Sequence, residues 1–102
     1  MPETLVYETR RFAKALGKLS DPIQVLVEDE IENIIAKPSS GEQKKGDLSH
    51  LWVHKFKIDN QEWLLGYNWN EEQITIHLLQ LGSHENYYQE ARRQRKGDLK
   101  KI

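Results

Sequence analysis

The feature that most constrains this chain is a change of hydrophobic period near residue 50. Before it, apolar side chains recur at helical spacing. Between Arg10 and Leu19 the stripe is Phe12, Ala15, Leu16 and Leu19, and Gly17 inside it costs about 1 kcal/mol relative to alanine. Ser20-Asp21-Pro22 restarts the pattern, with Asp21 able to cap and Pro22 suited to a first helical turn. Ile23, Leu26, Val27, Ile31, Ile34 and Ile35 then share one side, while Glu28, Asp29, Glu30 and Glu32 crowd the other. That acidic side suits a basic partner segment and equally a solvated surface. Pro38 ends the second helix. These two stretches predict a helical hairpin.

From Trp52 the period is two. Trp52, His54, Phe56 and Ile58 point one way, and Val53, Lys55 and Lys57 the other. Asp59-Asn60-Gln61 signals a turn, after which Trp63, Leu65, Tyr67 and Trp69 share a face opposite Leu64, Gly66 and Asn68. Ile74, Ile76 and Leu78 follow beyond Asn70-Glu71-Glu72, backed by Thr75, His77 and Leu79. A strand apolar on both faces belongs in the interior of a sheet. An earlier short strand, Leu5 to Thr9, places Leu5 and Tyr7 together, and Pro38 to His50 reads as an exposed polar loop. Gly82-Ser83 stops the last strand, His84 to Lys96 reads as a closing helix, and residues 97–102 as a frayed tail. The predicted order is β-α-α-β-β-β-α. This is an α+β fold in which the hairpin packs on the aromatic face of a small, mainly antiparallel twisted sheet. The opposite face is left partly open.

At 102 residues the expectation is a single domain spanning the whole chain. Cysteine is absent, which excludes a disulfide scaffold, thiolate metal ligation and a cysteine nucleophile. No run approaches the roughly 20 apolar residues of a membrane span, and the opening MPETLVYETRR lacks the pattern of a signal peptide. A cytoplasmic protein without membrane contact is the expectation. The net charge of -1 announces no global basic field, but it sums two unlike halves. Residues 1–42 carry five basic and eight acidic side chains, and residues 43–102 ten basic and eight acidic. An anion is therefore sought in the second half.

Candidate chemistry clusters there. Lys55 and Lys57 lie two apart on a strand and project from the same open face, as a solvated surface or as a phosphate-binding pair. Stabilising charge on phosphorus needs no lowered lysine pKa, which favours that role over a lysine base. His84 opens the closing helix; a histidine's ordinary pKa of about 6.5 suits general acid-base work, and capping or packing is the alternative. Tyr87 and Tyr88 are about 100° apart on a helix, so one faces out when the other faces in. The outward one could stack a base. His77, on the face of the lysines, is placed to approach them. Lys44 and Lys45 in the polar loop, and Arg92 in the basic cluster Arg92, Arg93, Arg95 and Lys96, are further substrate-binding candidates. His54 falls on the core face, and His50 and His54 on a strand entry are not spaced to chelate, so no metal site is expected.

The helical hairpin, the run LWVHKFKIDNQEWLLGYNWNEEQITIHLLQLG and the ending GSHENYYQEARRQRK together resemble the RelE/ParE superfamily of bacterial toxins, over roughly Leu5 to Lys96. The resemblance implies a toxin of a type II toxin-antitoxin system, neutralised by a cognate antitoxin protein. RelE-type members are ribosome-dependent mRNA endonucleases; they use no metal or cofactor, and the ribose 2′-hydroxyl attacks the adjacent phosphate. Lys55-Phe56-Lys57 matches the family's Lys-x-Lys pair, His84 stands where a basic residue precedes Glu-Asn, and Tyr88, or Tyr87, matches the C-terminal tyrosine. The implied catalytic set is His84, Lys55, Lys57 and Tyr88. Leu64 departs from the pattern, since it occupies the place of a third-strand arginine. The resemblance also allows a ParE-like toxin that inhibits DNA gyrase without nuclease activity, or a member that only binds its antitoxin.

Overall fold

A single side chain, that of Thr9, ends the first strand and starts the first helix. Its hydroxyl accepts a hydrogen bond from the Phe12 amide at 3.1 Å and donates one to the Leu79 carbonyl at 2.7 Å, so it caps a helix and ties it to a distant strand. The computed structural model describes residues 4–102. Its elements are β1 (Leu5–Glu8), α1 (Arg10–Gly17), α2 (Asp21–Ala36), β2 (Glu42–Gln43), β3 (Trp52–Ile58), β4 (Gln61–Asn70), β5 (Thr75–Ser83), α3 (Tyr87–Arg93) and α4 (Arg95–Lys101). Short 3₁₀ turns at Pro38–Ser40 and Gly46–Leu48 flank β2.

The five strands form one mixed sheet in the order β1-β5-β4-β3-β2. Only β1 and β5 run parallel; the other pairs are antiparallel. Asp59 and Asn60 take left-handed conformations with φ of 50° and 66°, as a two-residue hairpin turn between twisted strands requires. They fix the β3–β4 register from Trp52 opposite Tyr67 to Ile58 opposite Gln61. A bulge between β4 and β5 shifts the pairing, so that Gly66 faces Gln80 while Tyr67 faces Leu78. Leu79 is the extra residue, and the alternation of β5 changes phase there. Leu78 and Leu81 join the cluster under the helices, whereas Leu79 joins the one on the opposite face.

The hairpin of α1 and α2 covers the aromatic face as the sequence pattern predicts. Phe12, Val27 and Ile34 are completely buried against Leu65 and Tyr67, with Trp52, Phe56, Trp63 and Trp69 around them. Two other expectations need correction. The α2 cap is Ser20 rather than Asp21, with Pro22 in the first turn. The closing helix is two short helices that meet at Gln94, and the first begins at Tyr87, so His84 lies before it. The tail is helical: α4 runs to Lys101, and its Asp98 is buried and ion-paired with Arg11.

The second face of the sheet is more covered than its alternation suggested. Tyr87 and Ala91 of α3 pack with Leu48, Leu51, Val53, Leu64 and Leu79 into a second apolar cluster. The Tyr87 ring lies over two glycines. A Cβ at Gly66 would stand 2.5 Å from the Tyr87 hydroxyl oxygen and 2.9 Å from Cδ1 of Leu51, while at Gly82 the ring is 3.6 Å away. The hydroxyl donates to the Gln80 carbonyl at 2.9 Å, and the Gln80 side-chain amide donates to the Tyr87 carbonyl at 2.8 Å. Gly66→Ala is therefore expected to lose about 1–3 kcal/mol through overpacking, read as a shift in urea midpoint. In a double-mutant cycle with Tyr87→Phe, which removes the crowded oxygen, the combined loss is expected to be smaller than the sum.

Candidate functional site

Register brings the candidate residues to one corner of the second face. Lys55 of β3 is paired with Leu64 of β4, and Leu64 with Gly82 of β5. Lys57 is two residues further along, opposite Glu62, and His84 leaves the sheet just past Ser83, which faces Trp63. Both lysines and His84 are exposed. Because neighbouring strands are about 4.8 Å apart, these rows place two cations and an imidazole along one edge of the patch that α3 leaves bare.

Tyr88 is the pivot of this corner. Its ring meets the His84 ring edge-on, with centroids 6.2 Å apart and planes at 81°. It meets Tyr87 similarly at 5.5 Å and 79°. Over its face sits the Lys44 ammonium, 5.0 Å from the centroid, a cation–π contact that fixes a normally mobile side chain. Lys44 also donates to Oε1 of Glu42 at 2.6 Å. This hydrogen bond raises the Lys44 pKa above the usual lysine range. Lys44, reinforced by the nearby charges of Lys55 and Lys45, holds the Glu42 carboxyl below the usual carboxylate range. Glu42 was missed in the sequence. Its only signal was the parity of a two-residue strand that the polar composition of 38–50 concealed.

The remaining candidates divide. Lys45 is exposed close to Glu42. Arg92 makes an exposed contact of 3.6 Å with Asp47, and Arg95 donates through Nε to the Asp47 carbonyl at 2.6 Å, so the junction of α3 and α4 also anchors the turn at Gly46–Leu48. Tyr87 is corrected from a substrate-binding candidate to a structural residue. It is 3% exposed, its hydroxyl is engaged, and burial drives that hydroxyl's pKa far upward. His77 is also corrected. It pairs with Asn68, four residues along β4 from Leu64, so it lies about 13 Å along the sheet from the lysine row. The Tyr87 ring over Gly66 stands between them. It stacks instead on Tyr7 at 5.2 Å. Among the described residues, no three His, Asp or Glu side chains come together as a metal ion would need.

His77 and His50 are expected to make the stability of the fold depend on pH. Burial lowers both pKa values, and Nδ1 of His77 is buried without a hydrogen-bond partner. A group with a depressed folded pKa contributes its stability in full above the unfolded value, about 6.5, and loses it as pH falls through the folded value. Urea midpoints are therefore expected to drop as pH falls below about 6.5, and the drop should shrink in a His50→Gln/His77→Gln protein.

Comparison with known proteins agrees with this architecture. Residues 6–92 match the model of a family described as ParE-like toxins of type II bacterial toxin-antitoxin systems. No curated protein matches the sequence. Among solved structures, the free form of an E. coli RelE toxin with two arginines changed to alanine superposes with a TM-score of 0.70 at 16% identity. That match covers 91% of this chain and 98% of the other. The RelBE2 toxin-antitoxin complex of Mycobacterium tuberculosis contains a chain matching at TM-score 0.66 and 19% identity, over 81% and 100% of the two chains. The intact E. coli RelBE complex gives 0.64 and 16%, over 80% and 98%. At these identities the structural likeness carries the fold.

Proposed function

The chain belongs to the ParE-like toxins of type II bacterial toxin-antitoxin systems, and we propose that it is a ribosome-dependent mRNA endonuclease held in check by a cognate antitoxin. The observation that supports the reading is that Tyr88 meets both His84 and Lys44 on the sheet face that also carries Lys55 and Lys57. In the reaction, the ribose 2′-hydroxyl gives up a proton and its oxygen bonds to the adjacent phosphorus. The bond from phosphorus to the 5′-oxygen breaks, and that oxygen takes up a proton. The products are a 2′,3′-cyclic phosphate and a free 5′-hydroxyl. His84 is assigned one of the two proton transfers as general acid or base, because an exposed imidazole at the rim can reach an extended RNA strand. Lys55 and Lys57 bind the phosphate and offset the charge that develops on it. His84 thus supplies one of the two proton transfers and the lysines the charge stabilisation, and water is left to exchange the other proton. Tyr88 positions His84 and Lys44 through its edge and face.

The relatives solved as RelBE complexes contain a toxin and an antitoxin together, which supports a cognate antitoxin as partner here. No described helix is long and apolar enough to cross a membrane, in keeping with a protein that meets mRNA on cytoplasmic ribosomes. Expression without antitoxin should stop translation and leave new mRNA 5′ ends within codons. A second reading is favoured by the net charge of -1 and by a feature of the site. Leu64 is fully buried in the second apolar cluster, so the site has no cation at the position where RelE-type members place an arginine. That favours a toxin that inhibits DNA gyrase without cutting RNA. Intact transcripts together with loss of supercoiling by purified gyrase would establish the gyrase reading. Growth without any defect would leave only antitoxin binding.

A further inference from the structure

We propose that Lys44 is a phosphate-binding cation of this face, and that the Glu42 carboxylate occupies its anion position until an RNA phosphate displaces it. The proposal rests on the reading of this corner as an RNA-binding site and assigns it a built-in competitor.

Three features of the geometry carry it. The first is the fixity of Lys44. A surface lysine ordinarily keeps its ammonium in free water, but the Lys44 side chain is only 19% exposed. Its head is held between the Tyr88 ring at 5.0 Å and Oε1 of Glu42 at 2.6 Å. A preorganised cation loses little entropy when an anion arrives. The second is position. Glu42 is paired with Val53 on β3, so it shares a sheet face with Lys55, two residues further along the same strand. The carboxylate is therefore flanked by Lys44 and Lys55, and the depressed Glu42 pKa is consistent with both neighbours. A singly charged oxyanion among these cations is the chemistry of a bound phosphodiester.

The third feature is an asymmetry. The Glu42 side chain is 64% exposed against 19% for Lys44. Rotating the glutamate into water removes an exposed ion pair of small net value, whereas Lys44 stays seated on its aromatic ring. The cation is the fixed part and the carboxylate the removable one. A phosphodiester offers two equivalent anionic oxygens to the ammonium groups, which lets it replace Glu42 rather than add beside it. Leu64 cannot take part, since its side chain is fully buried beneath α3.

The test measures binding and cleavage separately. Fluorescence anisotropy with a labelled single-stranded RNA, made uncleavable by 2′-deoxy substitution throughout, reads binding to the purified full chain at low salt. Lys44→Met keeps the aliphatic stem and is expected to weaken binding about tenfold or more, while Lys44→Arg retains it. Glu42→Gln removes the competing charge and is expected to tighten binding about threefold or more. Lys37→Met, beyond the C-terminus of α2, is the charge control and should leave binding close to wild type. Lys44→Met with wild-type affinity, Glu42→Gln with weaker affinity, or a wild-type protein that retains no RNA each overturns the proposal. Urea midpoints for Lys44→Met and Glu42→Gln equal to wild type keep a folding defect from imitating the result. mRNA cleavage by wild-type protein in a translating extract is scored alongside. Lys44-dependent RNA binding without cleavage removes the nuclease reading and leaves this anion site standing. Cleavage and binding both unchanged in Lys44→Met remove the anion site and leave the nuclease reading standing.

Discussion

Cleavage of ribosome-bound mRNA by the His84→Ala protein is expected to fall by about 10²–10⁴-fold, the usual contribution of one positioned acid or base. His84 is exposed and precedes α3, and its edge-on contact with Tyr88 is the one aromatic contact that alanine removes. Its loss should therefore leave the urea midpoint within about 0.5 kcal/mol of wild type. Activity should vanish while the fold persists, and cells expressing the variant without antitoxin should grow. Mapping mRNA 5′ ends beside growth curves checks both consequences. A His84→Ala protein that still cuts mRNA at wild-type rate removes this residue from the mechanism. One that still arrests growth while transcripts remain intact points to gyrase.

The largest effect on stability is expected from Arg11→Ala. Arg11 donates from Nη1 and Nη2 to the two carboxylate oxygens of Asp98 at 2.7 and 2.8 Å, and Asp98 is only 2% exposed. Removing the arginine leaves a buried carboxylate without its counter-charge, a change that costs about 3–5 kcal/mol in buried pairs. The Arg11 side chain is 22% exposed, and water reaching it puts the expected loss near the lower figure, about 3 kcal/mol. For a chain of this size that is a large share of the total stability. Asp98 is the one buried residue of α4, so the damage should be concentrated there. Amide exchange across residues 95–101 is expected to accelerate more than exchange in β4 or β5. Arg11→Met combined with Asp98→Leu should recover most of the lost midpoint, because an apolar pair of similar volume carries no desolvation cost. An Arg11→Ala midpoint equal to wild type would show that the bidentate pair adds nothing.

These two residues differ in what a sequence can show of them. His84 stands out as a candidate because histidine chemistry and its place in the run Gly82-Ser83-His84-Glu85-Asn86 are both local properties. Lys55 and Lys57 were legible because strand alternation assigns a face without any knowledge of the partner strands. The Arg11–Asp98 pair was not, since 87 residues separate its members and each reads locally as an ordinary surface charge. Asp98 lay in a segment whose Gly97 and lysines looked like a frayed end. Tyr87 and Tyr88 are an intermediate case. Helical spacing required them to diverge, but only the bare shelf of Gly66 and Gly82 decided which one is buried. That shelf had a trace in the sequence, because glycines on an otherwise side-chain-bearing strand face mark a close approach by another group.

His77 and Glu42 failed in opposite directions for one reason. Face assignment is a one-dimensional inference, whereas distance across a sheet depends on register. His77 was placed on the correct face, yet register puts it four residues from the lysine row along β4, behind the ring of Tyr87. Glu42 read as part of a loop, yet its pairing with Val53 brings it beside Lys44 and into the field of Lys55. What the sequence determined by itself was whatever periodicity and local chemistry encode: the helical hairpin, the alternation of β3 and β4, the aromatic face beneath the hairpin and the lysine pair. What only the tertiary structure decided was whatever depends on the meeting of distant segments: the bulge that changes the phase of β5, the closing of the second face by Tyr87, the ion pair that holds α4, and the seating of Lys44 on Tyr88. The physical reason is that backbone periodicity is set within a few residues, whereas register, burial and charge pairing are fixed only when segments remote in the chain pack together.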